Sequence, residues 1–193
     1  MDPNSYYHVY THANGNENLF RSKENYRFFL KRYNHFISPI ADTMAYCLMP
    51  NHLHLLIQIK SENSLEQLLG KPDINKSLSN CISKQFANLF SSYTQSYNKV
   101  YKRKGSLFIP NFKKKEILSD SYLTRIIYYI HANPVTHGFT KDINSWYWSS
   151  HHAYLSDKPT LLKRSLVWEW FGGKEQYAAF HEQQDLPTSF PKV

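Results

Sequence analysis

Cysteine is nearly absent: Cys47 and Cys81 are the only two. Their spacing suits neither a zinc ribbon nor a disulfide-stapled scaffold, nothing requires a bond between them, and such sparse thiols fit a reducing cytoplasm. Long apolar runs are missing too, since none approaches the roughly 18 residues that cross a bilayer as a helix. The opening "MDPNSYYHVYTH" has no basic start followed by an apolar stretch, so no signal peptide is read there. Internal repeats and low-complexity tracts are also lacking. These absences set the expectation of a cytoplasmic protein without a membrane segment. Its 193 residues suffice for one real hydrophobic core but not comfortably for two full domains.

Acidic residues are scarce where basic ones gather. Lys plus Arg number 23 against 15 Asp plus Glu, a net charge of +8. The segment "YKRKGSLFIPNFKKK", residues 101–115, holds Lys102, Arg103, Lys104, Lys113, Lys114 and Lys115 without one acid. Tyr101, Phe108 and Phe112 are interleaved with these cations. Such a mixture contacts phosphates and stacks the bases of single strands; a solvated basic loop would have the same composition. A membrane surface is another anionic partner, but no basic amphipathic helix accompanies the run.

Periodicity divides the chain. "SYYHVYTHA" alternates and reads as a strand ending at the turn "NGNEN". "SKENYRFFLKRYNHFI" reads as a helix capped by Ser22, with Tyr26, Phe29, Leu30 and Tyr33 on one face and Pro39 closing it. "TMAYCLM" and "HLHLLIQIK" are strands joined at "PN", followed by a helical turn at "SLEQLLG" and a loop at "KPDIN". A long amphipathic helix over residues 76–101 carries Leu78, Ile82, Phe86, Leu89, Phe90 and Tyr93 in register. The basic segment suggests a hairpin around Gly105 and Pro110, with "KKEIL" as its last strand. "SDSYLTRIIYYIHANP" is a helix capped by Ser119 or Asp120 and stopped by Pro134. The order strand, helix, strand, strand, helix, strand, helix predicts an α+β sandwich, a largely antiparallel sheet with helices packed on it. From about residue 142 the texture changes to short helices and turns rich in tryptophan. The expected division is a main body, 1–141, and a short helical C-terminal extension, 142–193, packed on it.

One strand carries an oddity. Alternate residues of a strand face opposite sides, so Leu53, Leu55, Ile57 and Ile59 form an apolar, buried face. His52, His54, Leu56, Gln58 and Lys60 form the other. Two imidazoles side by side can share a metal ion but leave a divalent cation short of ligands. A polar face meeting water would also explain the pair. The group able to complete a site lies on the "SYLTRIIYYIHANP" helix. Leu123, Ile126, Ile127 and Ile130 define its core stripe. Tyr129 and Asn133, four apart, stand one above the other on the stripe's flank, whereas Tyr128 points almost directly away from it. Asn133 offers an amide oxygen to a hard cation, and Tyr129 a phenolic nucleophile one turn away. Taken singly, each has an ordinary reading: packing for the tyrosine, a helix-end cap for the asparagine.

Together these residues resemble a known family. "AYCLMPNHLHLLIQ", "RKGSLFIPNFKKK" and "YYIHANPVTHGF" look like the HUH single-tyrosine transposases, and more closely their REP-associated tyrosine transposase branch. "YYHVYTHANGNENLFRSKENYRFFL" and "WYWSSHHAYL" share the likeness, which covers most of residues 6–155. The resemblance implies a ferredoxin-like fold and cleavage and rejoining of single-stranded DNA beside imperfect hairpins. It implies a divalent ion, Mg²⁺ or Mn²⁺, and a 5′-phosphotyrosine intermediate. It places the metal-binding residues on His52, His54 and Asn133 and the nucleophile on Tyr129. Many members carry a basic residue shortly after "NP", where this chain has Thr136 and His137, which leaves a phosphate contact unassigned. Lys102, Arg103, Lys104, Lys113, Lys114 and Lys115, with Phe108 and Phe112, are the DNA-binding candidates. Two other readings remain open: a structured nucleic-acid-binding protein that does not cut, and a metal-dependent hydrolase, which would want a carboxylate near the histidines. Monomer and homodimer are equally compatible with the sequence.

Overall fold

A computed structural model describes residues 1–70 and 77–183, so the loop expected at "KPDIN" lies outside the described residues. The chain forms β1 (Tyr6–His12), α1 (Lys23–Phe36), β2 (Ala41–Leu48), β3 (His52–Ile59), α2 (Glu62–Leu69), α3 (Leu78–Tyr101), β4 (Lys113–Ile117) and α4 (Asp120–Thr136). A 3₁₀ turn, Ile143–Ser145, then leads into α5 (His151–Leu155), α6 (Arg164–Phe171) and α7 (Lys174–Gln183).

The four strands make one sheet in the order β2-β3-β1-β4, antiparallel at every step. Because β3 inserts between β1 and β2, helix α1 must cross over to join strands that are not neighbours. This is the split βαβ arrangement of a ferredoxin-like α+β sandwich. Tyr7, Val9, Leu53, Leu55 and Ile57 on one sheet face bury against Phe29 and Tyr33 of α1 and Ile82, Phe86, Leu89 and Tyr93 of α3.

The other face does not meet water. Helix α4 lies across it, and Leu123, Ile126, Ile127 and Ile130 close over Met44 and Leu56. His52 is 2% exposed and His54 fully buried. With both faces covered, β3 is buried at nearly every position, as in sheets flanked by helices on two sides.

Two local expectations need correction. Pro134 does not stop α4, which continues to Thr136 with the proline inside it. Proline removes only its own amide donor; the last turn is still closed by His137 N–H to Asn133 C=O (2.9 Å) and Phe139 N–H to Pro134 C=O (2.8 Å). Nor do residues 101–115 form a hairpin. Lys102 ends α3 in the left-handed conformation at φ 51°, and β4 adds to the edge of β1 instead. Tryptophans beyond residue 142 contact the sheet, α1 and β1. Trp146 Nε1–H donates to Leu48 C=O (3.0 Å), Trp148 stacks on Tyr26 at 4.4 Å, and Trp170 meets Tyr6 edge-on at 5.5 Å.

Candidate active site

Strand register brings β1 to the histidines. His12 lies opposite His52, Tyr10 opposite His54 and His8 opposite Leu56. Residues directly opposite share a face, so His8, Tyr10 and His12 line the same surface. The His12 and His52 rings stack at 4.7 Å, Tyr10 and His54 at 5.7 Å, His8 and His54 at 5.1 Å. β4 continues the rows, with Lys113 opposite Tyr10 and Lys115 opposite His8.

Helix α4 descends onto this surface. The Tyr129 ring is 5.6 Å from His54 and 5.9 Å from His8, both edge-on. Eight residues on, the ring of His137 is 4.6 Å from His52. Asn133 lies midway, one turn from each and on the same side of the helix. The site residues expected from sequence, His52, His54, Tyr129 and Asn133, are thus brought to one place. Tyr128 is not turned to solvent: it is 4% exposed and packs with Ala132, Ile143 and Phe180 beneath α7.

The polar atoms of this cluster are unevenly satisfied. Asn51 Oδ1 holds His52 Nδ1 at 2.7 Å, and His8 Nε2 holds His54 Nδ1 at 2.9 Å. The Asn133 amide nitrogen donates to Tyr129 C=O at 2.7 Å. That partner is an acceptor, so it must face the nitrogen and the amide oxygen is aimed the other way. What remains is His52 Nε2, His54 Nε2 and Asn133 Oδ1, each buried and without a hydrogen-bond partner among the described residues. A buried acceptor left unpaired costs about 1–3 kcal/mol and calls for an explanation. Two such atoms on β3 and one on α4, the helix that covers it, are donors of the kind a divalent cation takes. Imidazole nitrogen and amide oxygen suit such an ion, and each histidine already has the outer partner that fixes its tautomer.

Electrostatics agree with that role. Burial lowers the His52 pKa to about 3, with neighbouring His137 and His12 acting the same way. Burial also drives His54 well below the ordinary imidazole value, aided by His8. His8 falls to about 4 through burial and then Lys115. All three are neutral at pH 7, the state in which an imidazole can bind a cation. Burial raises the Tyr129 phenol above its ordinary value, opposed by the Asn133 amide.

The basic segment divides into two kinds of residue. Lys102, Lys104, Lys113, Lys114 and Lys115 are exposed. Arg103 is engaged within the chain: Nε–H donates to Glu17 Oε1 (3.2 Å), Nη1 to Asn98 Oδ1 (2.6 Å) and Nη2 to Ser106 C=O (3.1 Å). Phe108 is 6% exposed and packs on Phe90 (4.8 Å) and Tyr93 (6.0 Å), while Phe112 packs on Phe86 (5.0 Å). Phe108 therefore fills the core against α3 and is withdrawn from base stacking. Phe108→Ala is expected to cost about 3–5 kcal/mol of stability, read by urea denaturation. A cleft of about 860 Å³ between α3 and residues 106–112 lies on the sheet face away from the histidines.

His8, Asn51 and Tyr10 escaped the sequence reading. The signal for His8 and Tyr10 was the alternation Tyr6, His8, Tyr10, His12, but only the β1–β3 register shows which partner each one faces.

Residues 3–133 match the sequence profile of the family described as "Transposase IS200 like", which is more than half of the chain. The chain belongs to that family. Over 111 residues it is 28% identical to a Haemophilus influenzae protein named "Putative REP-associated tyrosine transposase", a match covering 58% of this chain and 59% of that one. Less than two thirds of the relative's length is thus spanned. Among solved structures it resembles a REP-associated tyrosine transposase bound to a REP hairpin. The TM-score is 0.59 at 15% identity, over 82% of this chain and 84% of that one, a likeness in fold.

Proposed function

We propose that this chain is a tyrosine transposase of the REP-associated kind, which binds single-stranded DNA hairpins and cuts and rejoins the strand through a covalent protein–DNA intermediate. The observation that carries the reading is the trio of unpartnered buried atoms, His52 Nε2, His54 Nε2 and Asn133 Oδ1, beside the Tyr129 ring. Family membership and the hairpin-bound structural relative support the same substrate class.

His52, His54 and Asn133 would hold the cation, Mg²⁺ or Mn²⁺, which supplies charge stabilisation at the scissile phosphate. The chain's own residues do the rest. Tyr129 Oη attacks phosphorus; the bond from phosphorus to the 3′ oxygen breaks as the one to Oη forms. The phenolic proton is lost and the departing oxygen ends as a free 3′-OH. Because the phosphoryl group stays on the protein as a 5′-phosphotyrosine, no water is consumed and another 3′-OH can reverse the step. His8 and Asn51 hold the imidazoles that face the cation. The low-dielectric pocket under α4 strengthens every charge interaction made there.

The test is incubation with a panel of single-stranded hairpins and Mn²⁺, followed by denaturing electrophoresis. A band of protein joined to DNA supports the proposal. Hairpin binding with no adduct under any metal points instead to a non-cleaving binder, and a free 5′-phosphate end to a hydrolase.

Lys113, Lys114 and Lys115 would meet the DNA backbone at the open edge of the sheet. Replacing all three by Gln is expected to weaken hairpin binding. The slope of log affinity against log salt should become shallower by about 0.7 for each phosphate that a lysine no longer neutralises. An unchanged slope in a salt titration would place the DNA elsewhere.

A further inference from the structure

We propose a second metal site, unrelated to His52 and His54, in which His131, His151 and His181, with the Tyr177 hydroxyl as fourth donor, bind zinc and fasten the C-terminal helices to α4. His131 is on α4, His151 on α5, and His181 and Tyr177 are one turn apart on α7. All four are buried, His131 and Tyr177 completely. Residue 131 is about 200° around the helix from both Tyr129 and Asn133, so this cluster lies on the side of α4 away from the active site.

The donor atoms are already gathered. One ligating nitrogen from each of the three histidines falls within 4.8 Å of the others. His131 Nδ1 is 3.1 Å from His181 Nε2; the Tyr177 hydroxyl is 2.9 Å from His151 Nδ1 and 3.3 Å from His131 Nδ1. Donors about 2.0–2.1 Å from a tetrahedral zinc ion are separated by roughly 3.3 Å, so these gaps are near what the ion needs.

The outer partners are in place as well. His131 Nε2 meets Ser150 Oγ at 2.7 Å, His151 Nε2 meets Asn144 Oδ1 at 3.1 Å, and His181 Nδ1 meets Tyr177 C=O at 2.9 Å. With N–H donated to each of these oxygens, the opposite nitrogen of every ring is a lone pair pointing at the common centre, as in metal-bound histidines. An approach route exists: a cavity of about 250 Å³ lined by Asp142, Asn144, His151, His181 and Glu182 opens beside the cluster, with two carboxylates to draw in a cation.

Without metal the same atoms form a hydrogen-bonded network, His131 Nδ1 with His181 Nε2 and the Tyr177 hydroxyl with His151 Nδ1. The experiment must separate that network from an ion site. Full-length protein stripped with a chelator is reloaded with Zn²⁺ alone, desalted and assayed for bound metal; a parallel sample is loaded with Co²⁺ for its visible spectrum. The expected result is one tightly held zinc per chain and the intense d–d absorption of four-coordinate cobalt. His52→Ala should keep both, whereas His181→Gln and His151→Gln should weaken zinc binding by roughly 100-fold or more. If those variants fail to fold, the wild-type cobalt spectrum still decides. Weak six-coordinate bands or no retained zinc overturn the proposal, as does zinc that leaves with His52→Ala and stays with His181→Gln.

Discussion

Tyr129→Phe will hold a single-stranded hairpin as well as the parent protein does and will form no covalent adduct with it. The substitution removes one oxygen atom and leaves the ring that packs 5.6 Å from His54. The fold should survive, at a cost on the order of 1 kcal/mol for the lost hydroxyl's interactions. Without that oxygen the phosphoryl group has no acceptor on the protein, so the loss is complete rather than partial. Two control variants sharpen the result. Tyr128→Phe should keep the adduct, because its ring is packed under α7, 6.0 Å from Phe180 and 5.5 Å from His181, on another side of α4. Tyr10→Phe is the stricter control, since Tyr10 lies 5.7 Å from His54, as near as Tyr129. Should Tyr10→Phe and not Tyr129→Phe abolish the adduct, the nucleophile is on β1, and the role given to the α4 phenol is wrong.

His52→Ala or His54→Ala should lower the cleavage rate by at least about 10²–10³-fold, the penalty typical of losing one group that stabilises charge in a transition state. Each change removes one of the three acceptor atoms that the proposed cation would need. His8 is committed to His54 at 2.9 Å, and His12 stacks flat on His52 at 4.7 Å. The rate should be measured against Mn²⁺ concentration. The parent should show a saturating dependence on the ion, and the variants little dependence at any concentration used. Hairpin affinity in the absence of metal is the control, and it should hold within a few-fold. If both variants cut at the parent rate, the unpartnered nitrogens have another purpose and the metal reading fails.

Much of the architecture follows from patterns a few residues long. The alternation in β1 and β3 and the helical spacing in α1, α3 and α4 are imposed by backbone geometry, so they can be read locally. For the same reason the adjacency of His52 and His54 on one face, and of Tyr129 and Asn133 on one flank, is legible in the sequence alone. Each pair is set within a single element.

Relations between elements were decided only by the tertiary structure. Sequence periodicity identifies two faces of β3 but cannot say that α4 would cover the second, which turns a face that could have met water into a buried pocket. The identity of the atoms steadying the imidazoles, His8 and Asn51, depends on strand register and on the turn before β3. Composition made Phe108 and Arg103 look like DNA contacts; long-range packing against Tyr93 buries Phe108, and Arg103 is engaged by Glu17 within the chain. His131, His151 and His181 show the limit most plainly. Their nearest spacing is 20 residues, so no local pattern links them, and only the docking of α5 and α7 on α4 brings their nitrogens within reach of one another. Side-chain direction along one element is fixed by dihedral angles; convergence of side chains from several elements is fixed by how their apolar faces are buried together.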